Sequence, residues 1–295
     1  MRSPYLLLAL ANFFWSLNFI IAKLVVDVIP PVTVTFLRWG LPAALYLYFF
    51  WDNLKRTGQV YKKHWLLLLF LGATGYSLSA ITVYEAVRFT SMINTSFINA
   101  FAPVMIALTG FLMYRYPITG IQSGGFLLAL FGVIWIVFKG KLELILTLQA
   151  NIGDIIMVFN VIVWALHTIV YKRYALLFPS DSLFTMLMVT GVVATVPLMV
   201  AEILIVGTQW IGAVEARHLF GVLCLSIFPS VLAYRFWNLA LNRIPANQVA
   251  VSQYLIPVYT VIISWLFLDE RLEQFQIIGG AFIFLGVLLV TYRRT

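Results

Sequence analysis

"WSLNFIIAK", residues 15–23, lies in the first long apolar run of the chain, and "WALHTIVYK", residues 164–172, repeats its pattern 149 positions later. Trp15 and Trp164, Asn18 and His167, and Lys23 and Lys172 occupy matching places, and Pro30 returns as Pro179 at the same spacing. Ala86 and Ala240, Pro103 and Pro257, Gly125 and Gly279, and Gly132 and Gly286 then pair at a spacing of 154. Five extra residues in the second half, placed in the 207–217 connection, reconcile the two spacings. Matches that keep chain order on only two offsets point to a duplicated chain rather than to chance in an apolar alphabet.

Composition sets the solvent. Of 295 residues, 62% are hydrophobic and only 10% charged, whereas a soluble domain carries about 25% charge. Too few polar residues remain to cover a water-facing surface, so most of that surface must face lipid. A helix needs about 20 apolar residues to cross the hydrocarbon. Such runs fall at 4–24, 31–51, 65–86, 91–113 and 118–138, then at 152–173, 182–206, 218–241, 246–267 and 273–292. The connections are short, and no cleavable leader is expected. The expected fold is an all-α integral membrane protein of ten transmembrane helices, with one five-helix repeat over 1–146 and a second over 147–295.

Alternating these spans across the membrane places eleven cations against two carboxylates on the side of the N-terminus and six against nine on the other. Arg38 and Arg235 fall inside spans. Cation excess marks the cytoplasmic face, so both termini are expected there. The net charge of +8 is thus a topology signal, and nucleic acid is not an expected partner. An odd number of spans per half makes the second half enter from the opposite side. Inverted repeats of this kind recur in secondary transporters, with substrate held near the midplane between halves. Lys23 and Lys172, at opposite membrane faces, read as snorkelling cations.

Several stretches resemble a known family. "DERLEQFQIIGGAFIFLGVLLV" (269–290) resembles the final segment of EamA-type exporters of the drug/metabolite transporter superfamily, in which a Glu opens the last helix and a Gly-rich face packs it. "NTSFINAFAPVMIALTGFLMY" (94–114) and "NQVAVSQYLIPVYTVIISWLFLDE" (247–270) are similar to the two Pro-containing helices before that segment in each half. "FFWSLNFIIAK" (13–23) resembles the family's first helix and "VTFLRW" (34–39) its second. Tyr116 departs from the pattern, because Glu270 predicts a carboxylate there. The resemblance implies export of small molecules across the bacterial inner membrane.

In hydrocarbon a polar side chain is costly and tends to face the bundle or a cavity. Asn18 and His167 sit near the middle of the first and sixth spans. Each follows a Trp by three residues and so shares its helix face, which makes Trp15 and Trp164 line whatever they line. The alternative is a hydrogen bond that joins the two halves. The third span adds Tyr76, Ser79 and Tyr84, and the eighth adds Tyr234 and Trp237. Asn99 and Gln253 precede Pro103 and Pro257, prolines expected to kink their helices. Arg38 reads as an ion-paired or snorkelling residue, or else as the contact for a substrate carboxylate. His167 is the mid-membrane group that titrates near neutrality and the candidate for proton coupling. Gly72, Gly75, Gly124, Gly125, Gly279, Gly280 and Gly286 let helix backbones approach.

No carboxylate falls in the central third of any span, which disfavours selection of lipophilic cations through a buried acid. An aromatic-walled, neutral polar cavity suits amphipathic or zwitterionic metabolites. The expected function is a secondary transporter exporting small amphipathic metabolites, amino acids with aromatic or bulky neutral side chains foremost, through an alternating-access central cavity. A drug or toxic-compound efflux carrier of the same superfamily and a non-transporting scaffold or receptor are the alternatives. An enzyme is not expected. His64, His167 and His218 fall at different depths, the lone Cys224 makes neither a disulfide nor a zinc site, and no metalloprotease, nucleophile-elbow or phosphate-loop motif occurs. No cofactor or metal is expected. The expected partners are a small-molecule substrate and membrane lipid, and a monomer suffices.

Overall fold

Helices begin where the sequence supplies a proline or a capping acceptor and run through the apolar stretch behind it. The computed structural model describes residues 3–141, 143–144, 149–241, 243 and 252–291. Helix α1 (Pro4–Val26) and helix α2 (Pro31–Lys63) each open on a proline, whose missing N–H costs nothing in the first turn. Helix α3 (Trp65–Phe89) follows. The Ser91 side chain accepts from Asn94 N at the start of α4 (Met92–Tyr114), and Thr119 and Gln122 form a reciprocal capping box that opens α5 (Gly120–Val137). Asn151 accepts from Gly153 N and Asp154 N to open α6 (Ile152–Tyr174). Helix α7 (Ser180–Val206) ends at Gly207, whose φ of +79° suits glycine. Helices α8 (Ala216–Trp237), α9 (Leu255–Leu268) and α10 (Gln274–Thr291) complete the order, and the described residues contain no strand.

Among the described residues eight helices are long and apolar enough to cross a membrane; α9 is shorter, and α2 falls outside that set. Residues 246–251, which begin the ninth expected span, lie outside the described residues. Helix α2 runs past its apolar stretch to Lys63, so the connection expected after residue 51 is helical. The change to polar residues there does not end the helix.

Packing follows a crossed pattern. Helix α5 lies on α10 and α2 on α7, while α6 packs on α3 and α4, and α1 on α8 and α9. The α5–α10 contact is antiparallel and backbone-close. A Cβ added at Gly125 would lie 2.6 Å from the Gly286 carbonyl oxygen, and one at Gly132 would lie 2.6 Å from that of Gly279. Gly72 meets the Thr190–Gly191 backbone of α7 in the same way. Gly124 has open space around it and does not serve the helix approach its sequence suggested.

The helices are interrupted at matching places. A π-helical turn spans Ala73–Leu78 in α3 and another spans Ser226–Leu232 in α8. Left-handed residues Arg115 (φ 57°) and Asp269 (φ 52°), 154 positions apart, end α4 and α9. Within α4 the helix breaks after Asn99 and restarts at Ala102, which puts Pro103 in the first turn of a new segment. Pro257 likewise sits in the first turn of α9. Both prolines therefore start helical segments instead of bending continuous helices, as their lack of a donor N–H favours.

Two carboxylates tie distant helix starts. Glu202, near the end of α7, accepts from Val32 N at 2.9 Å, Thr33 N at 2.8 Å and the Thr33 hydroxyl at 2.8 Å. Glu270 accepts from Met92 N at 3.0 Å and Ile93 N at 3.4 Å. Each satisfies orphan donors at the positive end of a helix dipole, and Glu270 does so for α4, not for the helix that follows it. Lys23 is placed differently from a purely snorkelling cation. Its Nζ donates to the Val87 carbonyl at 2.6 Å, near the C-terminus of α3, where a cation complements the dipole.

Candidate functional site

Helices α1, α2, α3, α4, α6 and α8 and the segment leading into α9 converge on a cavity of about 140 Å³. It lies where α4 breaks and where α9 begins. Pro103 there cannot supply the N–H that the Asn99 carbonyl would receive in a continuous helix. Trp15 and Asn18 reach the cavity from α1, Arg38 from α2, Ser79 from α3, Asn99 and Pro103 from α4, and Trp164 from α6. Tyr234, Gln253 and Pro257 close the other side.

The remaining sequence candidates stand behind this wall. Trp237 packs on Trp15, with ring centroids 5.1 Å apart. Tyr76 contacts Trp39 at 4.7 Å and stacks with Tyr234 at 6.3 Å. The Tyr84 hydroxyl accepts from Arg38 Nη1 and donates to Asn18 Oδ1 at 3.2 Å. His167 is buried against α3. Its ring stacks on Trp164 at 5.3 Å, and its Nδ1 lies 3.1 Å from the Leu71 carbonyl and 3.4 Å from the Thr74 hydroxyl. A carbonyl partner requires Nδ1 to carry the proton, leaving Nε2 as the acceptor in neutral imidazole. Gly75 makes room for this ring, since a Cβ there would fall 2.3 Å from His167 Cε1. Asn18 and His167, repeat equivalents in sequence, thus stand in different settings: Asn18 faces the cavity, and His167 lies one aromatic layer away.

Asn160, Trp39, Ser96 and Tyr254 also line the cavity, and of these Asn160 and Trp39 were not among the sequence candidates. Asn160 carried a usable signal, because it precedes Trp164 by four residues on the same helix face. Its Nδ2 donates to the Ser79 carbonyl at 2.6 Å and to the Thr82 hydroxyl at 2.8 Å, which fixes α6 to α3.

Arg38 supplies the cavity's electrostatics. It is 6% exposed and is the one formally charged side chain among the described lining residues. Nε donates to Ser230 Oγ at 2.7 Å, and Nη1 donates to Asn18 Oδ1 at 2.7 Å and to the Tyr84 hydroxyl. The guanidinium also lies over the Trp39 ring at 5.0 Å, a cation–π contact. Ser230 belongs to the α8 π turn and donates onward to the Leu225 carbonyl at 2.8 Å. The ion pairs among described residues are Arg88–Glu85 and Arg217–Glu215, both at exposed sites. Neither of the two simpler sequence readings therefore describes Arg38: it neither pairs with a carboxylate nor reaches an outer surface.

The sequence profile of the EamA-like transporter family matches residues 2–138 and again 151–292. An uncharacterized transporter of Archaeoglobus fulgidus is 28% identical over 98% of both chains. A probable amino-acid metabolite efflux pump of Escherichia coli is 23% identical over 92% of this chain and 89% of its own length. A solved crystal structure with 16% identity superposes with a TM-score of 0.64, covering 98% of this chain and 97% of that one, so the two share a fold. With the profile covering nearly the whole chain in two segments, the protein belongs to the EamA-like transporter family.

Proposed function

We propose that this protein is a secondary transporter that exports small amphipathic metabolites, amino acids with aromatic or bulky neutral side chains foremost, by alternating access of the central cavity. The observation that carries the reading is the lining itself. Trp15, Trp164 and Tyr234 offer ring faces, Asn99, Asn160 and Gln253 offer amides, and the cavity sits between helices drawn from both parts of the chain. Aromatic faces give contact area, and a few placed amides orient a polar end. A cavity of about 140 Å³ is of the scale that receives one small ring-sized body. The name of the Escherichia coli relative, a probable amino-acid metabolite efflux pump, supports the same substrate class.

The architecture belonging to this reading is ten spans in two inverted five-helix halves, residues 1–146 and 147–295, with both termini cytoplasmic in a bacterial inner membrane. The boundary between the halves lies outside the described residues. The crossed packing, the paired π turns and the doubled profile match support it. In that frame α2 spans with its apolar first part, and α9 belongs to the ninth span.

The test is flux of labelled Phe, Trp, Met and Thr in proteoliposomes holding the purified protein, with and without a pH gradient. Flux of at least one of them supports the reading. Flux of none, alongside movement of lipophilic drugs, transfers the cavity to toxic-compound efflux. No flux of either kind leaves a scaffold. Acceleration by the gradient that His167→Gln abolishes would make His167 the coupling residue, whereas gradient-independent flux removes that role.

A further inference from the structure

We propose that Arg38 is the anchor for a carboxylate group, so that the cavity takes metabolites bearing one carboxylate beside an apolar or aromatic body and rejects the corresponding amines and amides. The proposal rests on the transport reading of this cavity and names its substrate class.

A guanidinium taken out of water must be compensated, and the usual compensation is a carboxylate with matched geometry. Arg38 has none. Its three protein hydrogen bonds go to Asn18, Tyr84 and Ser230, all neutral. Three acids that could have paired with it are engaged elsewhere. Asp154 receives bonds from Thr90 and Asn94, Glu202 from the start of α2, and Glu270 from the start of α4. Arginine carries five N–H donors and cannot lose its proton in a protein. Three of the five are spent, and both N–H groups of Nη2 have no acceptor among the described residues while the side chain lines the cavity. The site is therefore a buried, fixed and only partly satisfied cation facing an open space.

The charge is not part of the repeated framework. The position equivalent to Arg38 at the spacing of 149 is Leu187, a fully buried apolar residue. One side of the molecule carries a cation at this depth and the other carries a leucine. The other described lining residues are neutral, and none of them is acidic and able to receive an ammonium or another cation. An anionic group at Arg38 gains a charge-assisted hydrogen bond, whereas a cationic ligand meets uncompensated repulsion.

The partners of Arg38 also say what anchoring would disturb. Asn18 lies on α1, Tyr84 on α3 and Ser230 in the π turn of α8. A carboxylate that takes Nη2 together with a neighbouring N–H in the bidentate fork must displace Ser230 or one of the Nη1 partners. Substrate binding then competes directly with bonds that hold α2 to its neighbours.

The experiment uses the purified full-length wild-type chain, so it does not depend on an Arg38 variant folding. Phe, Trp, Met and Thr are compared with their carboxamides, and Phe also with 3-phenylpropanoate and 2-phenylethylamine. Binding is read by ligand-induced thermal stabilisation and exchange by proteoliposome counterflow. The expected result is that acids bind and exchange while the matched amides and the amine are weaker by roughly 10- to 100-fold, the scale of a charge-assisted hydrogen bond. 3-Phenylpropanoate should keep pace with Phe, because the carboxylate is the recognised group. Acids and amides moving alike would overturn the carboxylate anchor and leave the transport reading standing. Binding of the acids without counterflow would uphold the anchor and overturn transport. Binding of none of the acids would overturn both. Protection by sodium chloride equal to that by the amino acids would reassign Arg38 to an inorganic anion. As a second check, Arg38→Lys should retain the acid-over-amide preference at lower affinity, and Arg38→Met should lose it.

Discussion

The backbone-close contact between α5 and α10 yields a sharp prediction. In Gly125→Ala the added methyl would lie 2.6 Å from the Gly286 carbonyl oxygen, 2.7 Å from Leu289 Cβ and 3.0 Å from Val290 N, where ordinary contact begins at 3.4 Å. No flexible side-chain end is available to move aside, so α5 and α10 must separate locally by roughly 0.8 Å, a gap that forfeits about a quarter to a half of each affected dispersion contact. Overpacking of this kind costs about 1–3 kcal/mol, against which alanine returns up to about 1 kcal/mol of helix propensity. The expected net loss is about 1–2 kcal/mol. Gly124→Ala is the matched control: it is the adjacent residue on the same helix, with nothing within 4 Å of the new Cβ, and it should be neutral or stabilising by up to about 1 kcal/mol. Both variants would be compared with wild type by SDS-induced and thermal unfolding in detergent micelles. If Gly124→Ala is as damaging as Gly125→Ala, or if Gly125→Ala is neutral, the account of this interface is wrong.

Trp164 lines the cavity and His167 stands behind it, so their alanine variants should separate. Trp164→Ala should raise the half-saturating substrate concentration about tenfold or more with the fold intact, since one stacking side chain contributes on the order of 1–3 kcal/mol. His167→Ala should instead lower unfolding stability by about 2 kcal/mol through the lost Leu71 hydrogen bond and ring packing, as read by thermal unfolding of protein corrected for expression. Glu202→Ala removes the acceptor at three α2 donors and should cost about 1–2 kcal/mol, with Glu202→Gln, which keeps one oxygen, costing less; equal losses would mean that the charge and the acceptors do not matter. Arg271 is exposed, and Arg271→Ala should leave both flux and stability within about 0.5 kcal/mol of wild type.

The helices were legible because lipid imposes a length on every apolar run, and the described ends mostly fall within a few residues of the expected ones. The exception, α2, shows the limit of that signal: the apolar run stops, but the polar residues before Lys63 continue the helix. The π turns were not legible. Pro229 marks one of them, but nothing local marks Ala73–Leu78, where the backbone accommodates His167 and α7 across the bundle. The angular spacing of helix positions explains the site. Residues three apart on a helix differ by about 60° in direction, enough to leave Trp164 on the cavity and turn His167 to α3. Asn160 was missed although its four-residue spacing from Trp164 keeps it closer to the same face. The setting of Arg38 could not be read from its neighbours in sequence, because Tyr84 and Ser230 reach it from 46 and 192 residues away.

The contact between α5 and α10 has a further consequence, which concerns ancestry. Gly125 meets Gly286 while Gly132 meets Gly279, and Gly125 corresponds to Gly279 as Gly132 does to Gly286. Each helix therefore offers its partner the same two positions in reverse order, which is the self-complementarity of a two-fold homodimer surface. A half-length protein with such a helix would already hold the means to pair with an upside-down copy of itself. Fusing two such copies would keep the surface and abolish its dependence on concentration. Once they were joined, the halves could diverge at positions such as Arg38 and Leu187 without losing the seam that holds them together.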